Sequence, residues 1–223
     1  MDLVRIFCDT GRGYIQSSEV ENKKVLSHII GLFLNPKKEW QAIHDSECSV
    51  TRCYLSYVLI LAAIPPVAGY FGTTQFGWQF GARDAVKLSS ESALIIAIAY
   101  YLIMLVGVFT MGLIIQRMGQ AYGAEQPLSR TVSLAAYTAT PLFLVGVFEL
   151  MPILWVNFLV GLPALGYSVV LLYTGLPIMM GISEEKGFLF SSAVLAVGLV
   201  TLVCMMVATA ILWGYGFAPQ FVD

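Results

Sequence analysis

The longest nearly uncharged stretch of the chain runs from Thr131 to Ser183, and Glu149 is its only charged residue. A helix crosses the hydrocarbon core of a bilayer with about 20 apolar residues, so this stretch is long enough for two crossings. Pro152 follows shortly after Glu149, and proline fits the first turn of a new helix because it has no backbone N–H. The stretch therefore predicts two membrane helices joined by a tight turn.

The overall composition also favours a membrane protein. Hydrophobic residues make up 58% of the chain and charged residues 12%, whereas a soluble domain has about 25% charged residues. The formal net charge of -2 gives no reason to expect a nucleic-acid partner. Met1–Gly13 carries charges and no apolar core, so a cleavable signal peptide is not expected. The spacing of His44, Cys48 and Cys53 matches no standard metal site, and neither a metal nor a cofactor is predicted.

Five apolar runs are long enough to span a bilayer. They are approximately Cys53–Thr73, Ser92–Gln116, Thr131–Leu150, Pro152–Leu176 and Phe188–Trp213. Pro65 and Pro66 interrupt the first run, and in lipid the carbonyl groups freed by such a break need neighbouring helices or water. We therefore expect an all-α polytopic membrane protein, a five-transmembrane-helix bundle with its first helix packed inside.

Lysine and arginine are distributed unequally between the two sides of this predicted bundle. Ten of them precede the first span or lie in the second and fourth loops, whereas Arg83 and Lys87 lie in the first loop. Positively charged loops stay in the cytoplasm. The distribution therefore predicts a cytoplasmic N-terminus and an extracytoplasmic C-terminus.

Two segments outside the spans have regular patterns. The apolar residues of Lys23–Leu34 recur with helical spacing over a length too short to cross, which predicts a helix in the cytoplasmic interface. A helix buried under the bundle is the alternative. Asn35 and Pro36 are typical of a helix start, and Trp40 suits the headgroup level. Aromatic residues alternate with Gly77 and Gln79 from Phe76 to Phe80, turn-type residues follow at 81–84, and Val86 and Leu88 alternate around Lys87. This pattern predicts a small extracytoplasmic β-hairpin.

Several short motifs follow one another in an order that is known from one family. They are Asn35-Pro36 with Trp40 and Ile43, Tyr100-Tyr101, Gly107-Val108-Phe109, Met111-Gly112, Ala136-Tyr137-Thr138-Ala139-Thr140-Pro141, Pro152 and Leu171-Leu172-Tyr173-Thr174-Gly175-Leu176. On these residues the chain resembles the Yip (Ypt/Rab-interacting protein) family, and within it the bacterial inner-membrane branch. The resemblance covers about Leu32 to Trp213.

The resemblance implies five membrane helices, a cytosolic N-terminus and a C-terminus on the other side. Eukaryotic members are linked to Rab GTPases and to traffic between endoplasmic reticulum and Golgi. The acidic and aromatic Asp-Leu-Tyr-Gly-Pro-type motif that precedes their first span is absent, and Cys48–Tyr54 stands in its place. Binding of a Rab-type GTPase is therefore not carried over to this chain, and the resemblance supplies no settled activity for the bacterial branch.

Four regions are predicted from these features. They are a polar N-terminal extension (1–22), cytoplasmic interfacial helices (23–52), a five-helix transmembrane Yip-type domain (53–214) and an extracytoplasmic tail (215–223).

The residues that could carry a function are few, and each has a structural alternative. Glu149 could handle a proton or cation, but near a membrane interface it could also hold a helix end or form an ion pair within the bundle. The prolines could mark broken helices of a transporter, or simple helix packing. The candidate residues are Asn35, Pro36, Trp40, Pro65, Pro66, Tyr137, Pro141, Glu149, Pro152, Asn157, Pro163 and Gly175.

The chain has none of the sequence motifs that identify common enzymes: no GxSxG, no phosphate-binding loop and no zinc signature. No catalytic residue is predicted. We expect a non-enzymatic inner-membrane protein that organises membrane or partner proteins, with the lipid bilayer, a homo-oligomer or other membrane proteins as partners. A channel or secondary transporter for a small ion or solute is the alternative, using the proline breaks and Glu149. An enzyme acting on lipids is a third, weaker interpretation.

Overall fold

The computed structural model describes residues 26–46, 49–79, 85–215 and 218–222. Within them, five helical segments are long and apolar enough to cross a bilayer, as the sequence predicts. They are Tyr54–Phe76, Ser90–Ala121, Leu128–Leu150, Leu154–Met180 and Glu184–Gly214, named here the first to fifth spans. The side on which the first span begins is called the amino-terminal side, and the opposite side the carboxyl-terminal side. The predicted extension 1–22 lies outside the described residues.

Two short helices precede the spans. Helix α1 covers residues 26–34 and helix α2 covers Pro36–Asp45. Asn35 separates them and caps α2, because its Oδ1 accepts a hydrogen bond from the Lys38 N–H at 3.4 Å. Proline at the first position of α2 supplies the fixed φ of a helix start. The interfacial position expected for both helices stays a prediction.

The first span is not one regular helix. It enters through Val50–Cys53 and continues as a π-helix at Tyr54–Val58 and a short α-helix at Leu59–Leu61. After a turn at Ala62 and Ala63, an α-helix at Ile64–Phe71 and a π-helix at Gly72–Phe76 complete it. Pro65 and Pro66 lie in the first turn of the helix Ile64–Phe71, and both are buried. Backbone N–H groups in a first turn have no partner within the helix, so proline costs no hydrogen bond there.

The third span is broken in the same way. It consists of α-helices at Leu128–Thr138 and Thr140–Val145 and a 3₁₀-helix at Gly146–Leu150. Pro141 is the second residue of the middle piece and is buried. The two broken spans pack against each other: a side chain at Gly146 would overlap the ring of Pro65, so glycine permits the close approach.

The other three spans are continuous α-helices, including the fourth, which contains Pro163 and Pro177. Of the two interpretations of the prolines, a broken helix does not apply to Pro163. A single proline removes only one hydrogen bond, and the helix Leu154–Met180 continues through it. Pro163 itself is exposed.

The carboxyl-terminal side carries a few strand-like pairings. Trp78 and Val86 form an antiparallel bridge through N–H to carbonyl bonds of 2.7 and 3.0 Å. The short strand Lys87–Leu88 pairs with the tail strand Phe221–Val222, and Gln79 pairs with Ile153. The turn of the predicted hairpin, at residues 80–84, lies outside the described residues. The hairpin stays a prediction, whereas the pairing with the tail was not foreseen.

Two clusters of buried apolar residues form the interior. One joins α1 and α2 to the second, third, fourth and fifth spans, and the other joins the first, second and third spans. Outside these clusters, the carboxyl-terminal half of the fifth span exposes apolar side chains all round, from Leu202 to Trp213. Such a surface suits a hydrocarbon solvent.

Candidate functional site

On the amino-terminal side, the structure brings together three predicted residues, Trp40, Tyr137 and Gly175. The indole of Trp40 is 0% exposed, and its ring meets that of Tyr137 edge-on at 6.3 Å between centroids. Gly175 lies in the fourth span, and a side chain there would overlap the indole. Glycine at this position therefore lets Trp40 pack directly on the helix backbone. This cluster fixes α2 to the bundle.

Helix α1 faces the protein with a mixed side, which contains the buried Leu32 and the partly buried His28 and Gly31. The His28 ring nitrogen Nδ1 lies 2.5 Å from Glu39 Oε1, and Gly31 leaves room for the same carboxylate. The Tyr167 hydroxyl donates to the Leu32 carbonyl at 2.7 Å, and its ring stacks on Phe33 with centroids 5.1 Å apart. Helix α1 is thus attached to both α2 and the fourth span.

On the carboxyl-terminal side, the ends of all five spans surround a cavity of about 600 Å³, named here the Glu149 cavity. Its walls are mostly apolar and aromatic. They are formed by Pro66, Gly69, Tyr70, Thr73, Trp78, Leu88, Ala93, Ile96, Ala97, Tyr100, Glu149, Pro152, Leu154, Asn157, Trp213, Pro219 and Phe221. Four of the predicted candidates, Pro66, Glu149, Pro152 and Asn157, therefore share one site.

The carboxylate of Glu149 is held between the first and second spans. The Tyr100 hydroxyl donates a hydrogen bond to Oε1 at 3.2 Å. A methyl group built at Gly69 would lie 2.8 Å from Glu149 Oε2. A methyl group built at Gly72 would lie even closer to the backbone of Glu149. The ion pairs recorded among the described residues involve other carboxylates, so no described lysine, arginine or histidine neutralises Glu149.

A second, polar cavity of about 440 Å³ opens on the amino-terminal side. It lies where α2 ends and the third span begins. Its polar lining includes His44, Ser129, Arg130 and Ser133. Arg130 donates a hydrogen bond to the side chain of Gln126, so its guanidinium is partly engaged. Among the described residues, no group of three or more His, Cys, Asp or Glu side chains could hold a metal ion.

The other predicted residues have structural positions. Asn35 and Pro36 start α2, and Pro65 and Pro141 start the second halves of the two broken spans. Pro163 joins neither the Trp40 cluster nor the Glu149 cavity.

Sequence reasoning missed the partners of Glu149. The sequence singles out Tyr100 only as part of the Tyr100-Tyr101 motif, and it singles out neither Gly69 nor Gly72. The available signal was their spacing of three, which places two glycines on neighbouring positions of one helix face just after Pro66. The contributions of Trp213 and Phe221 could not be inferred, because they depend on tertiary placement of the fifth span and the tail.

Five helices that can each cross a bilayer, with apolar side chains on their outer surfaces, define a multi-pass membrane protein. Residues 30–205 match the Yip1 domain, and the chain belongs to this family, which confirms the resemblance. It is similar to inner membrane protein YohC of Escherichia coli K12 and to the protein of that name in an O6:H1 strain. Each is 42% identical over 192 residues, covering 86% of this chain and 98% of the relative. No solved structure matches.

Proposed function

We propose that this protein is a non-enzymatic inner-membrane protein that organises the bilayer around it. In this proposal α1 is inserted in the cytoplasmic leaflet as a wedge. The name of the YohC relatives supports an inner-membrane location. The excess of lysine and arginine before the first span and in the second and fourth loops supports a cytoplasmic amino-terminal side.

The observation that carries the proposal is the direction of the apolar side chains of α1. Leu26, Ile30 and Leu34 are 58%, 55% and 79% exposed, on a helix whose His28 contacts Glu39 of the protein. Leu32 of the same helix is buried in the core, so α1 turns part of its apolar surface to the protein and part outward. Apolar side chains that point outward from a helix beside a membrane are stable when they enter the acyl chains. This arrangement would place α1 in lipid and not in water.

The depth of α1 supports a wedge. The carbonyl of Leu32 accepts a hydrogen bond from Tyr167, the middle residue of the helix Leu154–Met180. The end of α1 therefore reaches far along a span from the amino-terminal side. A helix that displaces lipid in one leaflet favours a curved membrane, because only that leaflet gains area.

The proposal is tested with the full chain reconstituted in giant vesicles from which narrow membrane tubes are drawn. We expect the wild-type protein to partition between tube and flat membrane differently from a fluorescent lipid. Ile30→Glu should reduce this difference because a carboxylate does not enter the acyl region, whereas Ile30→Leu should preserve it. Partitioning equal to that of the lipid for wild type would contradict the proposal.

A second candidate function is passage of a small cation or solute, and the Glu149 cavity is the observation in its favour. Breaks in the first and third spans are also a feature of transporters. Flux measured in sealed liposomes that Glu149→Gln abolishes would support this function over a purely organising one. Tight liposomes with wild-type protein would exclude it for the ions assayed.

A further inference from the structure

We propose that the Glu149 cavity is a binding site for an organic cation that carries apolar substituents. This inference goes beyond the organising role proposed above and does not depend on it. Glu149 would supply the opposite charge, and the surrounding aromatic rings would contact the body of the ligand.

The first argument is charge. Among the described residues that line the cavity, Glu149 is the only carboxylate, and none is a lysine, arginine or histidine. Among the described residues the recorded polar contact of its side chain is the neutral hydroxyl of Tyr100. A carboxylate in an apolar environment is costly unless it is paired. A bound cation would supply that pairing.

The second argument is the number of aromatic rings. Among the described residues, five aromatic rings line the cavity, and they come from five different parts of the chain: Tyr70, Trp78, Tyr100, Trp213 and Phe221. A cation near the face of such rings is attracted by their quadrupole, and aromatic cages are a common way to recognise quaternary ammonium groups. The cavity volume of about 600 Å³ is within the range of small-molecule sites.

The third argument separates organic cations from metal ions. Calcium takes about six to eight oxygen ligands, and magnesium requires near-octahedral oxygen coordination. Among the described lining residues, Glu149 is the one carboxylate, and the other side-chain oxygens are the neutral ones of Tyr70, Thr73, Tyr100 and Asn157. A single carboxylate among rings therefore suits a large, weakly hydrated cation better than a metal ion.

Two sources could supply this chemistry. One is the amine headgroup of a lipid such as phosphatidylethanolamine, because the cavity lies where the spans end. The other is a free lipophilic cation. The two share the positive charge beside an apolar body, and the experiment separates them.

The test uses the purified full chain in an uncharged detergent. The first arm measures equilibrium binding of radiolabelled tetraphenylphosphonium. We expect saturable binding that Glu149→Gln weakens about tenfold, through loss of the opposite charge. Glu184→Gln removes a carboxylate that is exposed and outside the cavity, so it should leave the affinity unchanged.

The second arm separates the two sources by native mass spectrometry after addition of phosphatidylethanolamine or phosphatidylglycerol. Preferential retention of phosphatidylethanolamine, lost in Glu149→Gln, would support the lipid headgroup. Binding of tetraphenylphosphonium that phosphatidylethanolamine does not displace would support a free cation. Absence of both kinds of binding would overturn the proposal.

A second variant keeps the test decisive if Glu149→Gln does not fold. Trp213 lies on a half-exposed part of the fifth span, so Trp213→Leu should fold and should weaken tetraphenylphosphonium binding several-fold. Triphenylphosphine oxide, a neutral molecule of similar shape, should compete poorly. Equal competition by the neutral molecule, or wild-type affinity in folded Glu149→Gln, would show that charge is not recognised and would overturn the proposal.

Discussion

Trp40 and Gly175 illustrate how a single missing side chain determines a contact. The fully buried indole lies on the backbone of the fourth span because Gly175 has no Cβ. Both residues belong to the motifs by which the sequence resembles the Yip family, but nothing in the sequence indicated that they touch. Their contact gives the motif a physical reason: one residue is large and the other must be small.

We expect Gly175→Ala to lower the thermal unfolding temperature in detergent, because the new methyl group would overlap the Trp40 ring. Trp40→Ala should destabilise the protein more than Gly175→Ala, with a loss of about 3–5 kcal/mol in the free energy of unfolding. The matched control is Gly166→Ala in the same helix, where nothing lies within 4 Å. A similar decrease in unfolding temperature for Gly175→Ala and Gly166→Ala would show that the change in helix conformation, and not the contact with the indole, causes the decrease.

A hydrogen bond between Tyr57 and Thr140 joins the two broken spans at 2.5 Å. Both residues are buried, so Thr140→Val should leave the tyrosine hydroxyl unpaired and cost about 1–3 kcal/mol in unfolding free energy. Thr201→Val is the control, because Thr201 bonds only to its own helix, at the Val197 carbonyl. Equal stability of the two variants in a detergent unfolding series would contradict this role.

At the scale of helices, hydropathy was sufficient for the five spans because lipid requires length and apolar character from each of them. It also placed irregularity near Pro65, Pro66 and Pro141, since proline cannot sit in a helix interior without loss of a bond. It left Pro163 open, because whether a helix continues through a proline is decided by its surroundings. Pairing of Lys87–Leu88 with the tail was equally invisible, since two-residue strands have no pattern.

The position of α1 predicts different environments for two nearby residues. A fluorophore on Leu34→Cys should be quenched by lipids that carry a quencher on the acyl chain, because Leu34 is 79% exposed on the apolar side. A fluorophore on Lys37→Cys should be quenched by aqueous iodide, because Lys37 is an exposed residue beside Glu184. The four native cysteines are first replaced by alanine. Iodide quenching of equal strength at both positions would place α1 in water.

At the scale of the whole molecule, five crossings by the described spans would put the two ends of the chain on opposite sides of the membrane. The charge distribution predicts which side is which. Green fluorescent protein fused before Met1 should therefore fluoresce, and alkaline phosphatase fused after Asp223 should be active, in a bacterial host. A phosphatase inserted in the loop at Gly181, between the fourth and fifth spans, should be inactive. The reverse pattern would invert the proposed orientation.

Strand pairing between Phe221–Val222 and Lys87–Leu88 has a consequence for biosynthesis. The tail is synthesised after all five spans and long after the loop that it joins, so the wall containing Pro219 and Phe221 is completed only after the fifth span has been made. A protease that cuts between the fifth span and Pro219 would leave every span inserted and yet leave this cavity incomplete. Affinity tags for purification are accordingly better attached at the opposite terminus.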